Sequence, residues 1–237
     1  MLFNKKILGL IPARSGSKGI KNKNMQKLGN KSLIAHSVLF VNSLKYLDCK
    51  LITTDSNIYI KEAQKFGLDN FLLRSKKLSN DNASIIDVIS NAINYVEKEN
   101  KIKYDYLLLC EPTSPFRIKS DIINCIKIAI KNKAYSVFTV SKLDSKFHPI
   151  KILKKHNGKI RYFSKEGRSI INKQDIITDY FYRNGLCYVI DIKLFKKQKK
   201  IISNNSFSYF INREIADIDT RSDLLWSRYL YEKNYQK

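Results

Sequence analysis

Residues 6–24 read KILGLIPARSGSKGIKNKN, an apolar stretch that runs directly into a basic loop punctuated by Gly16 and Gly19. Residues 6–13 have the length and apolar character of a buried strand. The two leading lysines and the short apolar segment share the outline of a signal peptide, but the segment meets Arg14 with no small-residue cleavage stretch. No apolar run approaches the roughly 20 residues that span a bilayer. We read residues 6–13 as the first strand of a cytosolic protein, with the loop at its carboxyl end.

Outward from this strand, apolar runs alternate with helical patterns. A helix is expected over 32–44, a strand over 50–54, and a helix over 57–66 stopped by Gly67. A brief strand at 70–73 precedes a helix capped by Ser84, on which Ile85, Ile89, Ile93 and Val96 recur at helical spacing. Residues 106–110 (YLLLC) form another buried strand, ended by Pro112. A helix capped by Ser120 and a strand at 135–140 follow. This alternation predicts an α/β fold with a mainly parallel sheet covered on both faces. Residues 142–182 break the pattern. They are polar and aromatic, with an Asn157–Gly158 hairpin turn, and the stretch is too long for a plain loop. We read one domain over 1–237 with a small lobe inserted at about 142–182. Strands return at 185–190 and 207–211, and a closing helix starts at Arg221, where Thr220 and Asp223 form a short capping box.

The 237 residues carry a formal net charge of +23. Such a field could serve nucleic acid, an anionic membrane or small polyanionic substrates. The lysines are spread along the whole chain, with no basic helix and no aromatic–basic repeat. They read as solvated faces of a Lys-, Asn- and Ile-rich composition, so neither nucleic acid nor membrane is expected as a partner. A non-catalytic nucleic-acid binder is the competing class. Cys49, Cys110, Cys125 and Cys187 lie far apart and read as buried thiols, and His36, His148 and His156 lack metal-binding spacing.

Four segments carry chemistry. In residues 11–24, glycines admit close backbone approach and amide groups can cradle phosphate, while Arg14, Lys18, Lys21 and Lys23 add charge. The spacing is neither G-x-x-x-x-G-K-[ST] nor G-x-G-x-x-G. In Asp217-Ile218-Asp219-Thr220, an extended backbone would turn both carboxylates to one side. The pair suits either Mg²⁺ beside a triphosphate or the capping of a helix. In residues 109–117 (LCEPTSPFR), two prolines stiffen a strand-end turn that presents Glu111, Thr113, Ser114 and Arg117, as a substrate-positioning loop or a rigid connector. In residues 182–188 (YRNGLCY), Arg183 could grip a carboxylate, or Asn184-Gly185 could be only a turn.

Together with ITTDS at 52–56 and the Arg74…LSNDNAS stretch, these segments occur in the order seen in acylneuraminate cytidylyltransferases, the CMP-sialic acid synthetases. The chain resembles that family from about Ile7 to Leu230. The resemblance implies a three-layer α/β/α nucleotide-diphospho-sugar transferase fold, Rossmann-like, with a mixed sheet. It also implies that the inserted lobe serves dimerisation in a homodimer. The activity implied is transfer of CMP from CTP to the anomeric hydroxyl of a nonulosonic acid, with Mg²⁺ as cofactor and pyrophosphate as the leaving group. N-acylneuraminate is the first candidate sugar, and legionaminate, pseudaminate or another 3-deoxy sugar acid are the alternatives. By similarity, Arg14, Ser17, Lys18, Lys23 and Asn24 would hold the CTP phosphates and nucleotide, and Arg74, Ala83 and Ser84 would lie near cytosine and ribose. Glu111, Arg183 and Asn184 would face the sugar acid, and Asp217 and Asp219 would ligate Mg²⁺. Lys23, Asp219 and Arg14 are the expected catalytic residues. A carboxylate of the acidic pair or a metal-bound hydroxyl could be the general base. The chain departs from the family pattern at Glu111, where many relatives have glutamine. It departs again at Asn82-Ala83-Ser84-Ile85, and at Arg183-Asn184, where a spacer residue is missing.

Overall fold

The computed structural model describes residues 2–165 and 179–235. In chain order the elements are β1 (Ile7–Ala13), β2 (Lys27–Leu28), β3 (Lys31–Ser32), α1 (Leu33–Ser43), β4 (Cys49–Thr54), α2 (Asn57–Lys65), β5 (Phe71–Leu73), α3 (Ile85–Asn100) and β6 (Tyr106–Leu109). There follow α4 (Lys119–Lys131), β7 (Ser136–Lys142), β8 (Leu153–His156), β9 (Lys159–Tyr162), β10 (Phe181–Asp191), α5 (Ile192–Gln198), β11 (Ser206–Phe210) and α6 (Arg221–Tyr235). Seven strands form one sheet in the order β11-β7-β10-β6-β1-β4-β5. Every neighbouring pair is parallel except the two made by β10, which runs against both β6 and β7. The sheet is mixed, as expected, through this one strand.

Side-chain alternation along β1 explains the three layers. Ile7 and Ile11 join the core under α1, α2 and α4, together with Val38, Ile122 and Ile126. Leu8 and Leu10 face the opposite core under α3 and α5, with Ile89, Ile93 and Phe195. All four cysteines are free and buried, as predicted. No helix among the described residues is long and apolar enough to cross a membrane.

Three boundaries differ from the sequence expectations. Helix α4 begins at Lys119 with Ile118 as its uncapped N-terminal neighbour, so Ser120 lies inside the first turn rather than capping it. Asp121, paired with Arg213 at 2.6 Å, anchors that turn instead. Helix α5 was not anticipated, since it buries only Ile192 and Phe195 and is too short to show a period. The side chain of Asp191 caps it by accepting from the Leu194 amide. Strand β10 starts at Phe181 rather than at 185. Its exposed first residues pair with β7, and the register then shifts between Arg183 and Tyr188. Lys142 and Phe181 thus pair across the base of the excursion. Within the excursion, β8 and β9 form the expected hairpin, with Asn157 and Gly158 both at positive φ. The part of the 142–182 lobe that falls on 166–178 lies outside the described residues.

A third apolar cluster positions the chemistry. Ile20 comes from the first loop, Phe116 from the proline turn, Leu186 from the Asn-Gly segment and Ile218 from between the two aspartates. Leu224 and Leu230 of α6 belong to it as well, with Leu28, Leu33 and Ile215 among the others. One buried side chain from each of the four segments therefore packs into a shared core, at roughly 1.5–3 kcal/mol of burial each. The polar residues beside them are carried to one place.

Candidate active site

The loop after β1 is held on both sides. Ser15 donates from its amide and its hydroxyl to the Asp55 carboxylate, at 2.8 Å each. Asn24 is buried, and its Nδ2 donates to the Arg14 carbonyl at 3.0 Å. A Cβ on Gly19 would stand 2.4 Å from the Asp219 carbonyl oxygen, so only glycine lets the loop lie against the Asp217–Asp219 segment. Gly16 meets open space. Lys23 Nζ then pairs with Asp219 Oδ1 at 2.7 Å, closing a contact between the two ends of the chain.

A cavity of about 540 Å³ opens beside this contact. Of the residues predicted for the nucleotide, Arg14, Ser17, Lys18, Lys23, Asn24, Arg74 and Ala83 line it. Glu111, Asp217 and Asp219 line it too. Ser84, Arg183 and Asn184 are not among its lining residues. Ser84 uses its hydroxyl to cap α3, accepting from the Ile86 amide at 3.1 Å. Asn184 is buried, donating to Ser141 Oγ and accepting from the Leu186 amide. Its contacts support the bulge in β10, and Arg183 is exposed on the strand before it.

Ionic contacts span the cavity. Asp81, an acid that the sequence reading did not single out, accepts from Arg14 at 2.8 Å and pairs with Lys18 at 2.9 Å. Hydrogen bonds from Lys18 and Arg14 hold its carboxyl below the usual range. Arg74 is 8% exposed, and its Nε and Nη2 have no hydrogen-bond partner. Burial lowers its guanidinium from the ordinary arginine value, Asp55 opposes that shift and Arg14 adds to it. Asn24 Oδ1 is likewise buried and unpartnered. Such groups cost free energy until a ligand meets them.

At the other end, Asp217 and Asp219 are exposed while Ile218 between them is fully buried, as alternation requires. No strand is assigned there, but the Ile218 amide donates to the Thr113 carbonyl at 2.9 Å. Ser114 Oγ donates to Asp217 Oδ1, also at 2.9 Å. Gly185 sits at φ 72°, and a Cβ there would come within 2.6 Å of Ser114 Oγ and 2.8 Å of Asp217 Oδ2. The Asn-Gly pair is thus more than a turn: its glycine makes room for Asp217. Arg117 is buried and donates to the carbonyls of Leu186 and Glu111. It is a strut inside the loop, as the rigid-connector reading of this turn requires. Glu111 is pushed up to about 7, by burial first and then by the charge of Asp217, with Arg117 opposing.

Asp217 and Asp219 offer only oxygen donors beside an open cavity. Among the described residues no group of three His, Cys, Asp or Glu could hold an ion by itself. Two carboxylates fit Mg²⁺, which keeps water and substrate oxygens in the remaining positions. The capping role open for this segment is filled by its last residue, Thr220, in the expected capping box with Asp223, and not by the side chains of Asp217 and Asp219. Asp223 accepts from the amides of Asp219 and Thr220, and Thr220 Oγ1 accepts from the Asp223 amide.

A family model described as cytidylyltransferase matches residues 8–215. An N-acylneuraminate cytidylyltransferase of Escherichia coli is 31% identical over 235 residues, covering 98% of this chain and 54% of that protein. The chain therefore spans about half the length of that relative. A pseudaminic acid cytidylyltransferase of Campylobacter jejuni is 28% identical over 232 residues, and a CMP-N,N'-diacetyllegionaminic acid synthase of Legionella pneumophila 27% over 233, each with 98% of both chains covered. Among solved structures, a CMP:2-keto-3-deoxy-manno-octonic acid synthetase complexed with CTP superposes with a TM-score of 0.69 at 16% identity, over 96% of this chain and 99% of that one. That likeness is one of fold.

Proposed function

Since the chain belongs to the cytidylyltransferase family, we propose that it joins CMP from CTP to the anomeric hydroxyl of a nonulosonic acid and releases pyrophosphate. The observation that carries this reading is the junction of Lys23 with Asp219 at 2.7 Å, which sets the cationic loop and the acidic pair on one cavity. Arg14, Lys18 and Lys23 bind the triphosphate. The unpartnered donors of Arg74 meet the acceptor edge of cytosine, and Asn24 Oδ1 accepts from the nucleotide. Lys23 takes up charge developing on the α-phosphate as the sugar hydroxyl attacks in line, and positioning and charge neutralisation do most of the work. Asp217 and Asp219 would hold Mg²⁺, which supplies further neutralisation of the phosphate oxygens. Ser114 keeps Asp217 turned toward the cavity.

We take N-acylneuraminate as the sugar acid, on the 31% match, with Glu111 at its edge of the site. The test is pyrophosphate release from CTP and Mg²⁺ with purified N-acetylneuraminate, legionaminate, pseudaminate and Kdo. Release with N-acetylneuraminate above the others is expected. Release with another nonulosonic acid alone would replace the sugar, and no release from folded protein would remove the activity.

The chain is also proposed to act as a homodimer through the excursion at 142–182. Every residue of β8 and β9 is exposed, and Leu153, Ile160 and Phe163 are more than half so. An isolated two-stranded hairpin is marginal in water, and a second copy would cover it. Sedimentation velocity checks this, with Ile160→Asp expected to give monomer.

A further inference from the structure

On the other side of the glycine loop lies a second cavity of about 570 Å³, walled by that loop and by helix α6. Lys18 and Lys21 face it from the loop, and Arg221 and Arg228 face it from the helix. The two arginines stand seven residues apart, on one face. Leu224 and Leu225 lie between them. No carboxylate lines this cavity, and none pairs with Lys21, Arg221 or Arg228 among the described residues. Lys18 and Gly19 belong to both cavities, so the two adjoin across the loop.

We propose that this second cavity is a binding site for a metal-free polyphosphate anion, and that it receives the pyrophosphate leaving the first. The assignment rests on the proposed transfer reaction for its source of pyrophosphate, but not for the site itself. Three cations without a carboxylate partner, Lys21, Arg221 and Arg228, create a field that a bare polyanion satisfies, and Lys18, which pairs with Asp81 across the loop, stands beside them. Guanidinium groups present paired donors that match phosphate oxygens. The first cavity differs, because Asp81, Glu111, Asp217 and Asp219 all border it. Asp81 and Asp219 already engage Arg14, Lys18 and Lys23, so an anion that arrives there without a metal must compete with them for the same cations. A pyrophosphate that has left its metal behind is therefore held better on the far side of the loop, one lysine away.

The experiment is calorimetric titration of inorganic pyrophosphate into the purified protein in EDTA. The wild type should bind, and inorganic phosphate should bind at least about tenfold more weakly, having fewer oxygens to share among four cations. Arg221→Gln/Arg228→Gln should weaken pyrophosphate binding about tenfold or more, equivalent to losing one or two charge-assisted contacts. Its affinity for CTP with Mg²⁺ should stay within about twofold, since the guanidiniums face the other cavity. Leu225→Glu, at a position 64% exposed, places a carboxylate in the site without touching the core, and should weaken binding as much. Absence of metal-free pyrophosphate binding to the wild type would overturn the proposal, as would undiminished binding to both variants. Equal affinity for inorganic phosphate would overturn the assignment to pyrophosphate. Failure of the transfer reaction would register separately, as no turnover of CTP with any sugar acid.

Discussion

The cavities on the two faces of the glycine loop share Lys18 and Gly19 yet differ in the sign of their charge. Toward the sheet, Arg14, Lys18, Lys23 and Arg74 stand against four carboxylates. Toward α6, no carboxylate lines the cavity, and of its four cations only Lys18 has an acid partner, Asp81 on the other face. A site of mixed sign holds little net field until a metal ion and an anion enter together. A site of one sign attracts the anion alone. One loop can thus present the same kind of side chain to two differently charged ligands, and the acids opposite it make the difference. Substitutions at Asp217, Asp219 or Glu111, none of which touches Lys18, should act on one cavity and spare the other.

The largest effect is expected from Asp219→Asn. Its side chain is 74% exposed, so the fold should survive, but Lys23 loses its partner and the acidic pair loses one charge. Turnover should fall about a thousandfold, while metal-free pyrophosphate binding in the second cavity stays within about twofold. Near-normal turnover in this variant would dissolve the contrast between the cavities. A smaller effect is expected from Gly185→Ala. The added methyl meets Ser114 and Asp217 at a backbone position with φ 72°, so Asp217 must turn away. The loss should be about tenfold to a hundredfold in turnover, with a weakened response to Mg²⁺ concentration. Unchanged magnesium dependence would mean that Asp217 does not need the space.

Much of this arrangement could be read from the sequence, for identifiable reasons. The strands and helices that bury apolar faces show their periods, and the expected alternation around β1, α3 and β6 is present. The four motif segments were visible because each ends a strand or starts a helix with unusual residues. What escaped notice were contacts between loops. Asp55 holding Ser15, and Asp81 holding Arg14 and Lys18, join segments 40 to 67 residues apart with no periodic signal. The acids stand inside ITTDS and LSNDNAS, where the run of polar residues gives no hint of which one turns inward. Arg117 misled in the opposite direction. The turn offered it as a side chain presented for a substrate or as part of a rigid connector, and only the fold reveals the carbonyls of Glu111 and Leu186 that bury it. Ser84 was legible as a cap from its position before Ile85, and that is the use the fold makes of it.

The smallest effect concerns the acid that most distinguishes the first cavity. With its carboxyl raised to about 7 by burial and by Asp217, Glu111 is protonated in the folded chain at pH values where the unfolded chain has already ionised it. Its favourable contribution is complete below the unfolded value and is lost as pH rises through about 7. Glutamine keeps the shape and cannot ionise. Glu111→Gln should therefore match the wild type near pH 5, within about 2 °C in metal-free melts, and exceed it by about 5 °C near pH 8.5. Added Mg²⁺ should narrow that gap, because a cation between Asp217 and Asp219 offsets the repulsion that Glu111 feels. A gap that does not change with pH would mean that Glu111 ionises as freely as an exposed carboxylate. The mixed-sign cavity would then carry its full complement of negative charge, and would attract an added cation more strongly still.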